Sequence, residues 1–325
     1  MFSPSAEGGR RSIPPRRAEA RRSTCAETWR VLLAFAGTGC YIYYNTSVLN
    51  ELTTQKDDER LQAEAEKKYK KFAKMDRPRI TAVQADVDIH PERRAVDIRG
   101  TYTMVNKSGK PLTELHVSLN PRSLSRWRID LPGAKLKSDD RQLGYMIYEL
   151  AQPLAPGASM PMRFDIGFAA KGFVNGESNT RIAENGTFFD SLSYFPHLGY
   201  NDRLELQDRG KRRKYGLGEV QRQAPPSDIR ARMSNGLTDE SDWISLDTTV
   251  STSGDQFALA PGYLQRQWTQ NGRRYFQYKT TSPILGFWSY LSARYAVKRD
   301  AWHGIPIEVY YDPKHAYNVD GMITR

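Results

Sequence analysis

"ITAVQADVDIHPERRAVDIRGTYTMVN", residues 80 to 106, is the stretch that decides the fold. Val83, Ala85, Val87 and Ile89 alternate with polar residues, the chain turns through "HPERR", and alternation resumes at Val96, Ile98, Tyr102 and Met104. A period of two on both sides of a turn predicts a β-hairpin with one apolar face.

The pattern continues downstream. "KSGKPLTELHVSLN" offers a turn and a strand through Leu115, Val117 and Leu119. "YMIYELAQPLAPGASMPMRFDIGFAAKGF" gives a strand, a Pro/Gly turn and a strand through Met162, Phe164 and Ile166. From residue 244 come "ISLDTTVSTS", "FALAPGYLQRQWTQNGRRYFQYKTTSP" and "IPIEVYYDP", with Asn271-Gly272 as a hairpin turn. Residues 77–325 are therefore expected to be mainly β, an antiparallel β-sandwich or saddle, with 201–242 as a long polar excursion.

The first 76 residues differ in kind. Residues 1–28 are rich in Arg, Ser and Pro and read as disordered. "VLLAFAGTGCYIYYNTSVL", residues 31–49, has no charge and would reach roughly 28 Å as a helix. With Trp29 and Arg30 at one end, residues 29–49 are expected to form one transmembrane helix. The upstream arginines would keep the N-terminus cytoplasmic and place the β domain outside. Residues 50–76 lack Gly and Pro and pair Glu64 with Lys68 and Glu66 with Lys70, the spacing of a helical stalk. Its apolar stripe would be Leu61, Ala65, Tyr69 and Phe72.

Charge and chemistry exclude more than they assign. Of the net +11, +4 lies in the first 30 residues, and the diffuse remainder argues against nucleic acid as a partner. The run Arg209, Lys211, Arg212, Arg213 and Lys214 has no interleaved aromatic platform and reads as a solvated face. The two cysteines, Cys25 and Cys40, precede the folded region. The sequence contains no H-E-x-x-H, G-x-S-x-G or Walker loop. The five histidines are His90, His116, His197, His303 and His315, none paired at helical metal-ligand spacing. His116 falls on an alternating strand at an outward position, and Asp312 with His315 reads as a surface turn. No complete catalytic site, metal site or cofactor site is legible.

The order of segments resembles the N-terminal domain of M1-family zinc aminopeptidases. Residues 80–121 resemble its opening strands, "LAQPLAPGASMPMRFDIGF" its Pro/Gly-linked strand pair, and "TFFDSLSYFPHLGYN" (187–201) its aromatic-rich stretch. "FALAPGYL", "GRRYFQYKTTSPILGFWSYLSARYAV" and "IPIEVYYDP" are similar to its closing strands. "YYNTSVLNE", "EKKYKKF" and "SPILGFWSYLSARYAVKRDAW" look closer to a bacterial branch in which an ABC-2-type permease is fused to an M1-like peptidase. The resemblance covers about residues 29–325.

The resemblance implies a fold, a cofactor and partners. The zinc of the complete family member would be held by an H-E-x-x-H helix absent from this sequence, so the chain looks like an internal piece, non-catalytic as it stands. Asp190, Tyr194 and His197 would line a cleft wall; the alternative is that Tyr194 is core and His197 a polar corner residue. Trp288 and Tyr290 would be candidates for a face toward a zinc-peptidase domain, the alternative being that they pack in the core. Partners would be the lipid bilayer and a zinc-peptidase domain or permease subunits, at a bacterial inner membrane. The second functional reading is a stand-alone anchored scaffold that binds peptide or protein.

Overall fold

The computed structural model describes residues 16–176, 178–220, 224–232 and 240–323. By internal contacts the chain divides into two units, residues 1–52 with 171–176, and residues 53–170 with 177–325.

The first unit is built on helix α1 (Arg16–Tyr43), continued by π-helical turns over Tyr44–Leu49. Residues 1–15 of the expected disordered N-terminus lie outside the described residues; from Arg16 the chain is helical. The expected transmembrane helix requires correction. Among the described residues no helix is long and apolar enough to cross a membrane. The α-helical geometry stops at Tyr43, leaving only about 20 Å of α-helix beyond Val31. Past that point Asn45 and Thr46 are buried. The Asn50 amide donates to the carbonyls of Asn45 (2.9 Å) and Lys171 (2.7 Å). Gly172, at φ +54°, lies so close to the Asn45 side chain that a Cβ would collide with it.

The second unit is mainly β. Its strands are β1 (Arg79–His90), β2 (Ala95–Val105), β3 (Leu112–Ser118), β4 (Arg126–Asp130), β5 (Ala134–Asp140) and β6 (Tyr145–Leu154). There follow β7 (Ser159–Ala169), β8 (Thr187–Asp190), β9 (His197–Leu198), β10 (Ser241–Ser253) and β11 (Phe257–Leu259). The last are β12 (Tyr263–Gln270), β13 (Arg273–Lys279), β14 (Ser289–Ala293), β15 (Ala296–Trp302) and β16 (Ile305–Tyr311). They form a seven-stranded sheet in the order β12-β13-β10-β1-β2-β7-β4, a four-stranded sheet β5-β6-β3-β9, a three-stranded sheet β11-β14-β8 and the hairpin β15-β16.

The opening stretch is the hairpin β1–β2, paired from Arg79↔Val105 to His90↔Ala95 with one register shift between Ile80 and Ala82. Arg94 turns it in the left-handed region at φ 49°. Asn271 and Gly272, both at positive φ, join β12 to β13, the geometry that lets a two-residue turn follow strand twist. One pairing departs from the antiparallel expectation: β10 runs parallel to β1, with Val87 opposite Val250. Period and turn chemistry predict strands and hairpins but not the direction in which a strand returns after a long crossover. The apolar faces meet in one core that includes Val87, Ile98, Met104, Val117, Ile166 and Phe276.

The expected stalk is not a free helix. Helix α2 (Gln55–Tyr69) starts at a capping box formed by Thr54 and Asp57 and ends in a 3-10 turn over Lys70–Phe72. Its buried face is Glu59, Ala63, Glu66 and Tyr69, not a purely apolar stripe. Tyr69 stacks on Tyr145 at 4.0 Å and donates to Asp140 at 2.7 Å. Phe72 meets the His116 ring edge-on at 4.5 Å. This covering turns His116, expected to point outward, into a buried residue. The Glu66–Lys70 pair forms as expected (2.7 Å), whereas Lys68 reaches across to Asp140 (2.6 Å).

Candidate functional site

The aromatic stretch 187–201 is a seam between sheets. In β8, Thr187 and Phe189 point inward while Phe188 faces out. Phe189 pairs with Tyr290 of β14. Asp190 is the N-cap of a single helical turn, α3 (Ser191–Tyr194), accepting from the Ser193 amide at 2.9 Å, and it also pairs with Arg181 at 3.2 Å. Tyr194 is buried among Phe189 and Phe168, and its hydroxyl accepts a 2.6 Å hydrogen bond from Asn179. Burial raises the Tyr194 pKa. The next ring, Phe195, packs on Trp288 at 5.1 Å and Phe164 at 5.7 Å. Trp288 and Tyr290 are 3% and 0% exposed, so these two are core and cannot form the docking face expected of them.

His197 lies on β9, hydrogen-bonded to β3. Its Nδ1 is 2.6 Å from a Glu240 carboxylate oxygen and its Nε2 is 2.9 Å from the Leu192 carbonyl oxygen. Both partners are acceptors, so the ring is satisfied only as the imidazolium, with both nitrogens donating. Burial alone would lower its pKa; the Glu240 carboxylate, helped by the Leu192 carbonyl, raises it above the usual value. Glu240 in turn, pushed up by burial, is pulled lower overall by His197. Beside this pair is a space of about 10 Å³, lined by Tyr102, His197, Glu240 and Trp288 among others, enough for about one water.

The basic run in the polar excursion has a different role from a phosphate cradle. It forms helix α4 (Arg209–Lys214), capped by Asp208. Arg212, 2% exposed, donates both terminal nitrogens to Glu66 of α2, at 2.9 and 2.7 Å, and also reaches the carbonyls of Leu206 and Gly218, each at 2.6 Å. Glu205 lies 3.8 Å away and also binds Lys70 at 2.9 Å. Lys211 and Lys214 pair with Glu59, each at 3.0 Å. Sequence reasoning paired the acids of α2 with lysines of the same helix and so missed that the excursion supplies their partners.

The histidines that could have served zinc lie in separate places. His197 has both nitrogens engaged. His116 is held by Tyr145 at 2.9 Å, with Glu114 3.5 Å from its other nitrogen; burial, only partly offset by Glu114, lowers its pKa. His303 is at the β15–β16 turn, and Asp312 caps the 3-10 turn Pro313–Asn318 that contains His315. Among the described residues no three His, Cys, Asp or Glu side chains are grouped to hold a metal ion.

A concavity of about 640 Å³ lies elsewhere, on the outer face of the seven-stranded sheet. One rung of the sheet runs Thr249, Asp86, Arg99, Asp165, Arg128 from β10 to β4. The next runs Asp247, Gln84, Thr101, Arg163, Asp130. Every outward side chain in these rungs is polar or charged, which is what period two dictates when the other face is core. Arg99 pairs with Asp165 at 3.6 Å and Arg163 with Asp130 at 3.3 Å. The pKa of Asp86 is raised, first by burial and then by the nearby carboxylates of Asp88 and Asp247, against a lowering hydrogen bond from Thr249. The alternation was visible in the sequence; the register that lines these residues up was not.

No protein-family model matches the chain, and no curated protein matches it. Among solved structures it is similar to an M1 zinc metallopeptidase from Deinococcus radiodurans, at 13% identity and a TM-score of 0.41, covering 69% of this chain and 44% of that one. It is also similar to a mutant M1 zinc metallopeptidase from that organism bound to a Tyr-Ser-Ala substrate, at 12% identity and a TM-score of 0.42, covering 72% of this chain and 46% of that one. A two-domain M1 zinc metallopeptidase mutant bound to L-arginine matches at 12% identity and a TM-score of 0.42, with 71% and 46% covered. The chain spans less than half the length of each of these structures.

Proposed function

We propose that this chain is the β domain of an M1-metallopeptidase-like protein, which does not hydrolyse peptides by itself and serves to dock and support a zinc-peptidase domain or permease subunits. The observation that carries the reading is the order of family-like segments from residue 80 to residue 312, interrupted by the excursion at 201–242, with no H-E-x-x-H anywhere in the sequence. The docking face is assigned to the β15–β16 hairpin together with the helical turns at 313–323. Trp302 (63% exposed), Ile305, Tyr317 and Met322 expose apolar surface there, in place of the buried Trp288 and Tyr290. Of Asp190, Tyr194 and His197, Asp190 is the one that is not buried and from which a cleft wall would act; Tyr194 and His197 would support it from behind.

The finer placement, in the permease-fused branch of the family, rests on "YYNTSVLNE" and "SPILGFWSYLSARYAVKRDAW". Contact with a lipid bilayer at the inner membrane, β domain outside, belongs to the same proposal. Its support is the exposed apolar surface of Val31, Leu33, Phe35 and Ile42 rather than a spanning helix. A second reading, a peptide- or protein-binding scaffold with no catalytic partner, is favoured by the charged trough of the seven-stranded sheet.

The test is zinc content and aminopeptidase activity of the full chain with a panel of aminoacyl fluorogenic substrates. Folded protein without stoichiometric zinc or turnover is the expected result. One-to-one zinc with chelator-sensitive hydrolysis would overturn the proposal.

A further inference from the structure

The trough on the seven-stranded sheet is not evenly neutralised. Along its central rung the middle charges cancel, because Arg99 and Asp165 pair with each other. The two ends do not. Among the described residues, the Asp86 carboxylate on β1 has no ion pair; it accepts a hydrogen bond from Thr249 and lies near Arg99, but it also faces two further carboxylates, Asp88 and Asp247, the latter shared with Lys279 at 3.5 Å. At the other end, on β4, the Arg128 guanidinium lines the trough with no hydrogen bond or ion pair to any described residue. Its neighbours Arg126 and Asp130 are taken up by Asp97, Asp165 and Arg163.

Asp86 and Arg128 stand three strand spacings apart, on β1 and β4 with β2 and β7 between, or roughly 14 Å at about 4.8 Å per strand. A ligand matching both ends carries a cation and an anion separated by that distance. An extended chain of four amino acids with free termini spans about 13–14 Å and carries an ammonium at one end and a carboxylate at the other. Gln84 and Thr101, on the neighbouring rung, offer amide and hydroxyl groups along the path where peptide N–H and C=O groups would lie. Polyanions are disfavoured, because Asp86, Asp130, Asp165 and Asp247 outnumber Arg99, Arg128 and Arg163 in the lining.

We propose that this trough binds short linear peptides of about four residues crosswise to the strands, with the free amine at Asp86 and the free carboxylate at Arg128. The site lies on the outer sheet face and involves no zinc and no bond cleavage. Its success or failure is therefore independent of the peptidase-domain reading.

The experiment is isothermal titration of the full chain with an alanine series from two to eight residues, and with tetra-alanine acetylated at the N-terminus or amidated at the C-terminus. Tetra-alanine is expected to bind at least about tenfold tighter than di-alanine and than either capped form. Arg128→Ala should remove the difference between tetra-alanine and its amide while leaving the penalty for acetylation. Asp86→Asn should do the reverse. Both side chains point outward, so neither variant threatens the core, and unchanged circular dichroism confirms this. Four results would each overturn the proposal. These are no binding by any member, affinity indifferent to capping, affinity indifferent to length, and retention of a lysine-rich peptide whatever its C-terminus, which would reveal simple attraction to the acidic half.

Discussion

Removal of the Glu66 carboxylate is the sharpest test of how the α2 segment is held to the β unit. In Glu66→Ala, Arg212 loses both of its short charged hydrogen bonds and Lys70 loses one, while the guanidinium stays buried. Stripping one partner from a buried ion pair costs about 3–5 kcal/mol. Here Leu206 and Gly218 still accept from Arg212 and Glu205 remains 3.8 Å away, so the low end, about 3 kcal/mol, is expected. Urea unfolding of the full chain should show a midpoint lowered by about 1 M, with faster amide exchange over residues 206–218. Replacing both partners by methionine should recover most of the loss, and measured against the single variants Glu66→Met and Arg212→Met the double-mutant cycle should give a coupling energy above about 1.5 kcal/mol. The reasoning fails if Glu66→Ala shifts the midpoint by less than about 0.3 M, or if the double variant costs the sum of the singles. Either result would mean that α2 is held by its other contacts, Tyr69, Phe72 and the ion pairs of Glu59 and Lys68, rather than by Glu66.

Other perturbations address the seam and the core. The His197–Glu240 pair should stabilise most between about pH 4.5 and 6.5. The raised His197 pKa contributes stability below the unfolded value of 6.5, lost as pH rises through the folded value. The lowered Glu240 pKa contributes above 4.5 and is lost as pH falls. Urea midpoints against pH should therefore flatten on the alkaline side in His197→Gln. A Cβ at Gly100 would run into the Phe164 ring and approach the Gln84 carbonyl oxygen to 2.7 Å. Gly100→Ala should thus cost about 1–3 kcal/mol, read from thermal melting. Trp288→Ala should cost about 3–5 kcal/mol, whereas Trp302→Ala should change stability by less than about 0.5 kcal/mol. Equal effects would contradict the assignment of one to the core and the other to a docking face.

Local chemistry was legible where it acts over a few residues. The alternation of Val83 to Ile89 and the Asn271-Gly272 turn each specify structure within their own segment, and both appear as read. What sequence could not supply was partnership across distance. His116 reads as outward because its strand alternates, and Phe72, from a segment expected to stand free, covers it together with Tyr145. Arg212 reads as solvated because its carboxylate lies at Glu66, far away in the chain. The trough is the same case: Asp86 and Arg128 are ordinary strand residues until β2 and β7 fix the spacing between them.

The parallel pairing of β10 with β1 sets a timetable for synthesis. Strands β1, β2, β7 and β4 can associate as soon as Ala169 has emerged, but the second edge of β1 has no partner until β10 is made, about 80 residues later. At about 5–20 residues per second the ribosome leaves that edge open for several seconds. An open, apolar-faced strand edge is a template for wrong partners. The nascent chain is therefore most exposed to aggregation in that interval, and variants that slow the crossover should demand chaperones before they show any loss of stability in the finished protein.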